Sequence, residues 1–280
     1  MTKSSTLPPP TIQPPPLPAS PRGPSQAVRL AWLIPGTILA IAALCWGTYN
    51  VLSLLAHSEY TTADTFPVAD VDSIGISNEE GSITVNTTET DTIVVTAHVD
   101  DGWQSTDVSS RIDNGQLVIR GGCPTFGSPW CRVDFTVEIP ADLPITINGS
   151  NGTVRVRGAT ASIDVDTENG SIELEDISGD IRATNDNGRI TGRRLTSQVV
   201  DTATDNGRIE LSFVDPPQSV SGRTSNGRIE VIVPDVDVLY RVDLQTDNGS
   251  TDNAVRTDPS SDHVIDLSSG NGSITVRPPG

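Results

Sequence analysis

The chain has 280 residues, with 18 Lys+Arg against 36 Asp+Glu and a net charge of −18. Beyond residue 60 it holds 15 Arg, no Lys and 35 acids, so that part repels nucleic-acid phosphates and anionic headgroups, and nucleic acid is excluded as a partner. Aromatics make up 4 %, against 24 Gly and 21 Pro, a balance that favours thin β architecture built on Ile, Val and Leu over a compact enzyme core.

Residues 1–27 read as a disordered, Pro-rich cytoplasmic tail. The run "LPPPTIQPPPLPASPRGP" carries nine prolines in eighteen positions, samples polyproline II and packs no core. It serves as a flexible spacer or as a docking site for a proline-recognising partner.

Residues 28–56 are expected to form one transmembrane helix. From Leu30 to Ser58 there is no formal charge with His57 neutral, and this is long enough to cross a bilayer with some tilt. Pro35 falls near the first turn of the apolar span, where a missing N–H matters least. Lys3, Arg22 and Arg29 precede the span and acids follow it, which places the N-terminus in the cytoplasm and the remainder outside the cell membrane. A cleaved signal fits less well, because Leu54 would occupy the −3 position. Leu44 before Cys45 likewise argues against a lipoprotein. Cys45 then reads as an ordinary thiol in the span.

Residues 57–70 read as a stalk and residues 71–280 as an extracytoplasmic β-repeat domain. No segment there has a 3.6-residue period, and short alternating pieces such as "TIVVTAHV" and "RVDFTVEI" are divided by Gly, Asn, Asp and Pro.

The turns align on Gly81, Gly115, Gly152, Gly170, Gly188, Gly207, Gly227, Gly249 and Gly272. From Gly152 the spacings are 18, 18, 19, 20, 22 and 23, and Asn precedes eight of the nine glycines, Glu80 being the exception. Two positions on, eight of nine are Ile, Leu or Val, with Thr251 the exception; four positions on, Gly192 and Asn253 break the apolar rule. This is a strand with one buried face at a fixed distance from a turn. Asn-Gly is also the strongest short hairpin signal, because both residues tolerate left-handed backbone angles. Against hairpins, the residue three before the glycine would lie opposite that apolar residue, and it is mostly small and polar. In a coil such residues stack on their own copies, Thr over Thr and Asn beside Thr, and share hydrogen bonds along a ladder. The expected fold is therefore all-β, a parallel β-solenoid of right-handed β-helix type.

The run of "NGSIEL", "NGRIEL" and "NGRIEV" behind one membrane anchor resembles the bacterial putative-adhesin family of unknown function, envelope proteins built of β-strand repeats. The resemblance covers roughly residues 66–277. It implies a β-solenoid outside the membrane and no established activity.

Cys123 and Cys131, in "GGCPTFGSPWCRV", are expected to form a disulfide outside the cell. Two Cys with no nearby His leave a tetrahedral metal ion short of ligands, and no metal site or cofactor is expected. Arg189, Arg208 and Arg228 each follow a turn glycine. In a coil they stack about 4.8 Å apart, either as a solvated face balanced by Asp186, Asp205, Glu210 and Glu230, or as a strip gripping an anionic envelope polymer. Acids beside the turns raise calcium, but neither known calcium-loop spacing is present. Trp103 and Trp130 could seat a glycan or protein partner, or cap the stack. Gly152, Gly170, Gly188, Gly207, Gly227, Gly249 and Gly272 are structural. No hydrolase, zinc-protease or phosphate-loop motif occurs. The expectation is a non-catalytic binding, scaffolding or sensing module of the cell envelope. A β-helix enzyme acting on surface polysaccharide, or a signal relay through the tail, are the alternatives.

Overall fold

The computed structural model describes residues 26–55, 58–102, 105–124 and 131–280, with side chains for all but 26–32, 34 and 52–55. The proline tail up to residue 25, Trp103 and Trp130 lie outside the described residues. The chain divides into two units, Met1–Val51 and Leu52–Gly280.

Helix α1 (Gln26–Leu55), 30 residues long, lies in the first unit except for its last four residues. It begins before the apolar run, so Pro35 lies inside the helix rather than in its first turn. Thr37 Oγ1 donates to the Leu33 carbonyl, Thr48 Oγ1 to that of Leu44, and Asn50 Nδ2 to that of Trp46, all within 2.7–2.8 Å. Among the described residues no helix is long and apolar enough to cross a membrane.

The second unit is built of β-strands: β1 (Ser58–Pro67), β2 (Ser73–Glu80), β3 (Ile83–Thr87), β4 (Thr92–Asp101), β5 (Asp107–Asp113), β6 (Gln116–Gly122), β7 (Arg132–Ile139), β8 (Ile145–Arg157), β9 (Ile163–Glu175), β10 (Ile181–Leu195), β11 (Val199–Asn206), β12 (Ile209–Phe213), β13 (Ser219–Asn226), β14 (Ile229–Ile232), β15 (Arg241–Asn248), β16 (Thr251–Asn253), β17 (Val264–Asn271) and β18 (Ile274–Arg277). Residues 58–67, expected in a stalk, are strand β1, paired with β4 from Ser58↔Asp101 to Pro67↔Thr92.

Two ladders run through this unit. Before the Asn-Gly corner, the spatial order is β6, β2, β8, β9, β10, β11, β13, β17, β15, all parallel. After the corner, it is β7, β3, β8, β9, β10, β12, β14, β18, β16, again all parallel. Equivalent repeat positions pair directly: Ile163↔Ile181↔Val200↔Val220↔Ile265 in one ladder, Ile172↔Ile190↔Ile209↔Ile229↔Ile274 in the other. These residues are buried, and each contributes roughly 2 kcal/mol of apolar burial. Antiparallel pairing is confined to the N-terminal side, where β1 joins β4, β4 joins β7, and β5 joins β6.

The last repeat in sequence is not the last in space. β17 and β18 insert between the β13–β14 repeat and the β15–β16 repeat. The outermost C-terminal strands are therefore β15 and β16. That placement accounts for two exceptions in the repeat: Thr251 and Asn253 stand where other rungs bury Ile and Val, and both are exposed on β16. A terminal rung needs a polar outer surface.

Gly192 is not a gap in the core. Leu195 and Leu211 fill the space: a β-carbon on Gly192 would lie 2.7 Å from Leu195 Cδ1 and 3.0 Å from Leu211 Cδ2. The register shifts between Gly192 and Leu195, so that Leu195 pairs with Phe213. Cys123 and Cys131 form the expected disulfide, with a Cα–Cα distance of 5.7 Å.

Candidate functional site: the Asn-Gly corner and its two flanks

The corner glycines are required by proximity. A β-carbon on Gly170, Gly188, Gly207, Gly227, Gly249 or Gly272 would fall 2.6–2.8 Å from the carbonyl carbon of the glycine one rung away, and nearer still to its oxygen. Gly152 meets Gly81 in the same way at 2.7 Å. Left-handed angles at an Asn-Gly pair occur at Asn114 (φ 50°) and Gly115 (φ 81°), the tip of the β5–β6 hairpin. The same dipeptide thus does two jobs. At residues 114–115 it is a hairpin turn; elsewhere it is the place where two backbones come too close for a side chain.

The corner asparagines form a ladder of their own. Asn169, Asn187, Asn206, Asn226, Asn271 and Asn248 each donate from Nδ2 to the Oδ1 of the preceding asparagine in space, over 2.9–3.2 Å. The first, Asn151, donates to Glu80 Oε1 at 2.7 Å. Glu80, the exception to the Asn rule, ends the row as a charged acceptor, which strengthens a chain of aligned amide dipoles.

The inward polar residues do not bond to their own copies, as the repeat suggested. The hydroxyls of Thr167 and Thr204 are buried without a hydrogen-bond partner among the described residues. Others bond to corner carbonyls: Asn185 Nδ2 to Gly170 O at 3.0 Å, Ser269 Oγ to Gly227 O at 3.0 Å, and Thr246 Oγ1 to Gly272 O at 3.0 Å. Asn78 does the same to Val133 O at 2.8 Å.

Arg189, Arg208 and Arg228 come together on one flank of the corner. With Gly188, Gly207, Gly227 and Ser273 they line an open groove of about 630 Å³. All three are exposed. Their expected charge balance is only partly present. Arg208 Nη1 meets Glu210 at 3.2 Å, but Glu230 takes Arg277 at 2.9 Å and leaves Arg228 to donate to Ser273 Oγ at 3.1 Å. Asp186 and Asp205 lie on the opposite flank, in a groove shared with Thr184, Arg223 and Ser225. Among the described residues Arg189 has no ion-pair partner.

Several other arginines are matched rung to rung. Arg155 meets Glu173 at 2.8 Å and Arg157 meets Glu175 at 2.9 Å. Arg194, in the left-handed region at φ 51°, reaches back to Glu175 at 2.8 Å and Asp176 at 2.6 Å. The hydrogen bond from Arg194 is the main cause that holds both carboxyls below the usual carboxylate range; Arg157 adds to it at Glu175.

No family model matches the chain, and no curated protein does. Solved structures do. A putative cell adhesion protein of Clostridium sporogenes aligns over 79 % of this chain and 100 % of its own, with a TM-score of 0.40 and 12 % identity. A putative adhesin of Bacteroides fragilis aligns over 79 % and 98 %, with a TM-score of 0.45 and 12 % identity. One from Parabacteroides distasonis aligns over 77 % and 97 %, with a TM-score of 0.40 and 13 % identity. The chain resembles bacterial putative adhesins.

Sequence reading missed two features of the site. The Asn ladder was hidden because Asn-Gly already had a sufficient explanation as a turn. A cluster of Glu59, His98 and Asp100 was hidden because its members are far apart in sequence and meet only through the β1–β4 register.

Proposed function

We propose that the protein is a non-catalytic envelope module that binds an anionic polymer along the Arg189–Arg208–Arg228 row. The observation that carries this reading is the row itself: three exposed guanidinium groups on successive rungs of one groove, with two of them lacking a carboxylate partner among the described residues. Rungs are about 4.8 Å apart, so the row spans roughly 10 Å. Guanidinium forks suit phosphate and carboxylate groups, and a polymer repeats such groups along its length. The paired ladders are read as the walls of a right-handed parallel β-solenoid, which places each rung's side chains in straight rows.

The module stands outside the cell, held by α1 as a single-pass anchor with its N-terminus in the cytoplasm. Lys3, Arg22 and Arg29 before the apolar stretch support that orientation, as does a disulfide beyond it. Leu33, Ile38, Leu39, Leu44 and Trp46 are exposed on α1, while Thr37, Thr48 and Asn50 satisfy donors on the helix's own carbonyls, as a span in lipid requires. Asp186 and Asp205, stacked in the opposite groove, are what a polysaccharide-cleaving β-helix enzyme would use, and that is the competing reading.

The test is binding of the full-length chain in detergent to isolated anionic and neutral envelope polymers, with product analysis for cleavage. Retention of the anionic polymer, lost on replacing the three arginines by Gln, supports the proposal. Chain cleavage that disappears in Asp186→Asn or Asp205→Asn replaces it with the enzyme.

A further inference from the structure

The geometry points to a divalent transition-metal site, of zinc type, at Glu59, His98 and Asp100. One imidazole nitrogen and one oxygen from each carboxylate lie within 4.8 Å of one another. The β1–β4 register makes this arrangement. Glu59 stands opposite Asp100, Thr61 stands opposite His98, and Val99 between the two ligands of β4 is buried. The three donors therefore share the outer face.

Two features favour a metal over a chance cluster. First, Thr61 Oγ1 lies 3.1 Å from His98 Nδ1. With Nδ1–H donating to that hydroxyl, the Nε2 lone pair is turned toward Asp100 Oδ1, 4.0 Å away. A fixed outer nitrogen is what orients a metal-ligating imidazole. Second, two ligands held about 2.1 Å from one tetrahedral ion stand roughly 3.4 Å apart, so a small contraction of this cluster would close on a metal. On the neighbouring strand Asp134 faces His98 and Arg132 faces Asp100, and these two are paired with each other at 3.1 Å.

The donor set selects the ion. One imidazole with two carboxylates suits zinc and its first-row neighbours, whereas calcium wants six to eight oxygens and magnesium avoids nitrogen. Three protein ligands leave one position for water or for a group of a partner. Binding also joins β1 to β4 at the end of the strand where the β-unit begins, so it clamps that edge.

The experiment titrates the full-length chain in detergent with zinc chloride against a chromophoric chelator, with calcium and magnesium as controls, and follows hydrogen exchange in residues 58–64. The expected result is one zinc bound with a Kd tighter than about 10 μM. His98→Ala and Asp100→Asn should each weaken it at least tenfold, and Thr61→Val should weaken it less while retaining stoichiometry. Zinc should also slow exchange in β1 in the wild type and not in His98→Ala. Absence of zinc binding in a folded chain, or equal zinc binding by wild type and His98→Ala, overturns the site.

Discussion

Gly188 lies against the backbone of Gly170 so closely that a β-carbon on it would fall 2.8 Å from the Gly170 carbonyl carbon and 2.8 Å from Asn185 Nδ2. The same contact recurs from rung to rung, so the glycines form a spine along which the paired strands rest on one another. Gly188→Ala should therefore cost about 3 kcal/mol or more, since backbone must move on both sides. Gly122→Ala, where nothing lies within 4 Å of the added carbon, should stay within about 0.5 kcal/mol. Urea unfolding of the two variants compares them directly.

The asparagine ladder predicts a position effect. Asn206 donates to Asn187 and accepts from Asn226, both at 3.0 Å, whereas Asn248 at the end only donates, to Asn271 at 3.1 Å. Asn206→Ala should cost about 1 kcal/mol and Asn248→Ala about half that, because these are exposed amide bonds. Equal costs by denaturant titration would mean that the ladder is not acting as a chain.

Leu195 and Gly192 should be energetically coupled. Leu195→Ala should cost about 2–4 kcal/mol by leaving a cavity. Gly192→Ala crowds Leu195 Cδ1 at 2.7 Å and should be unfavourable alone. In the Leu195→Ala background the added methyl enters vacated space, so the double variant should lose less than the sum of the singles.

These residues also show what was legible in the sequence. The buried Ile positions and the parallel ladders followed from spacing and apolar alternation, because burial imposes a period; the disulfide followed from two cysteines in a domain expected outside the cell. What did not follow depends on which strands become neighbours. The insertion of residues 264–277 between 219–232 and 241–253 turns Thr251 and Asn253 from exceptions into an end rung. Glu80 likewise becomes the terminus of the Asn row. At Asn114-Gly115 the hairpin reading, set aside for the repeat, is correct. Residues 58–67 carry no buried period, and only their register with β4 reveals a strand.

Arg194 sets an acid dependence. Its hydrogen bonds hold the Glu175 and Asp176 carboxyls below their ordinary range. A carboxyl depressed in the folded state contributes stability that is present above its unfolded pKa, about 4, and is lost as pH falls through the lower folded value. The stability difference between wild type and Arg194→Gln should be full at neutral pH and should shrink below about pH 4. A difference that grows on acidification, in pH-dependent thermal unfolding, would contradict the pairing.

The account rests most heavily on the arginine row. Its direct test is the affinity of the full-length chain for an anionic envelope polymer, compared among wild type, the Arg189→Gln/Arg208→Gln/Arg228→Gln variant, and an Arg182→Gln/Arg223→Gln control on the other flank, where both arginines already face Asp201 at 3.4–3.6 Å. The row predicts a loss of roughly tenfold or more in the triple variant, near-wild-type binding in the control, and weaker wild-type binding as salt rises. Equal affinity in all three proteins would contradict it.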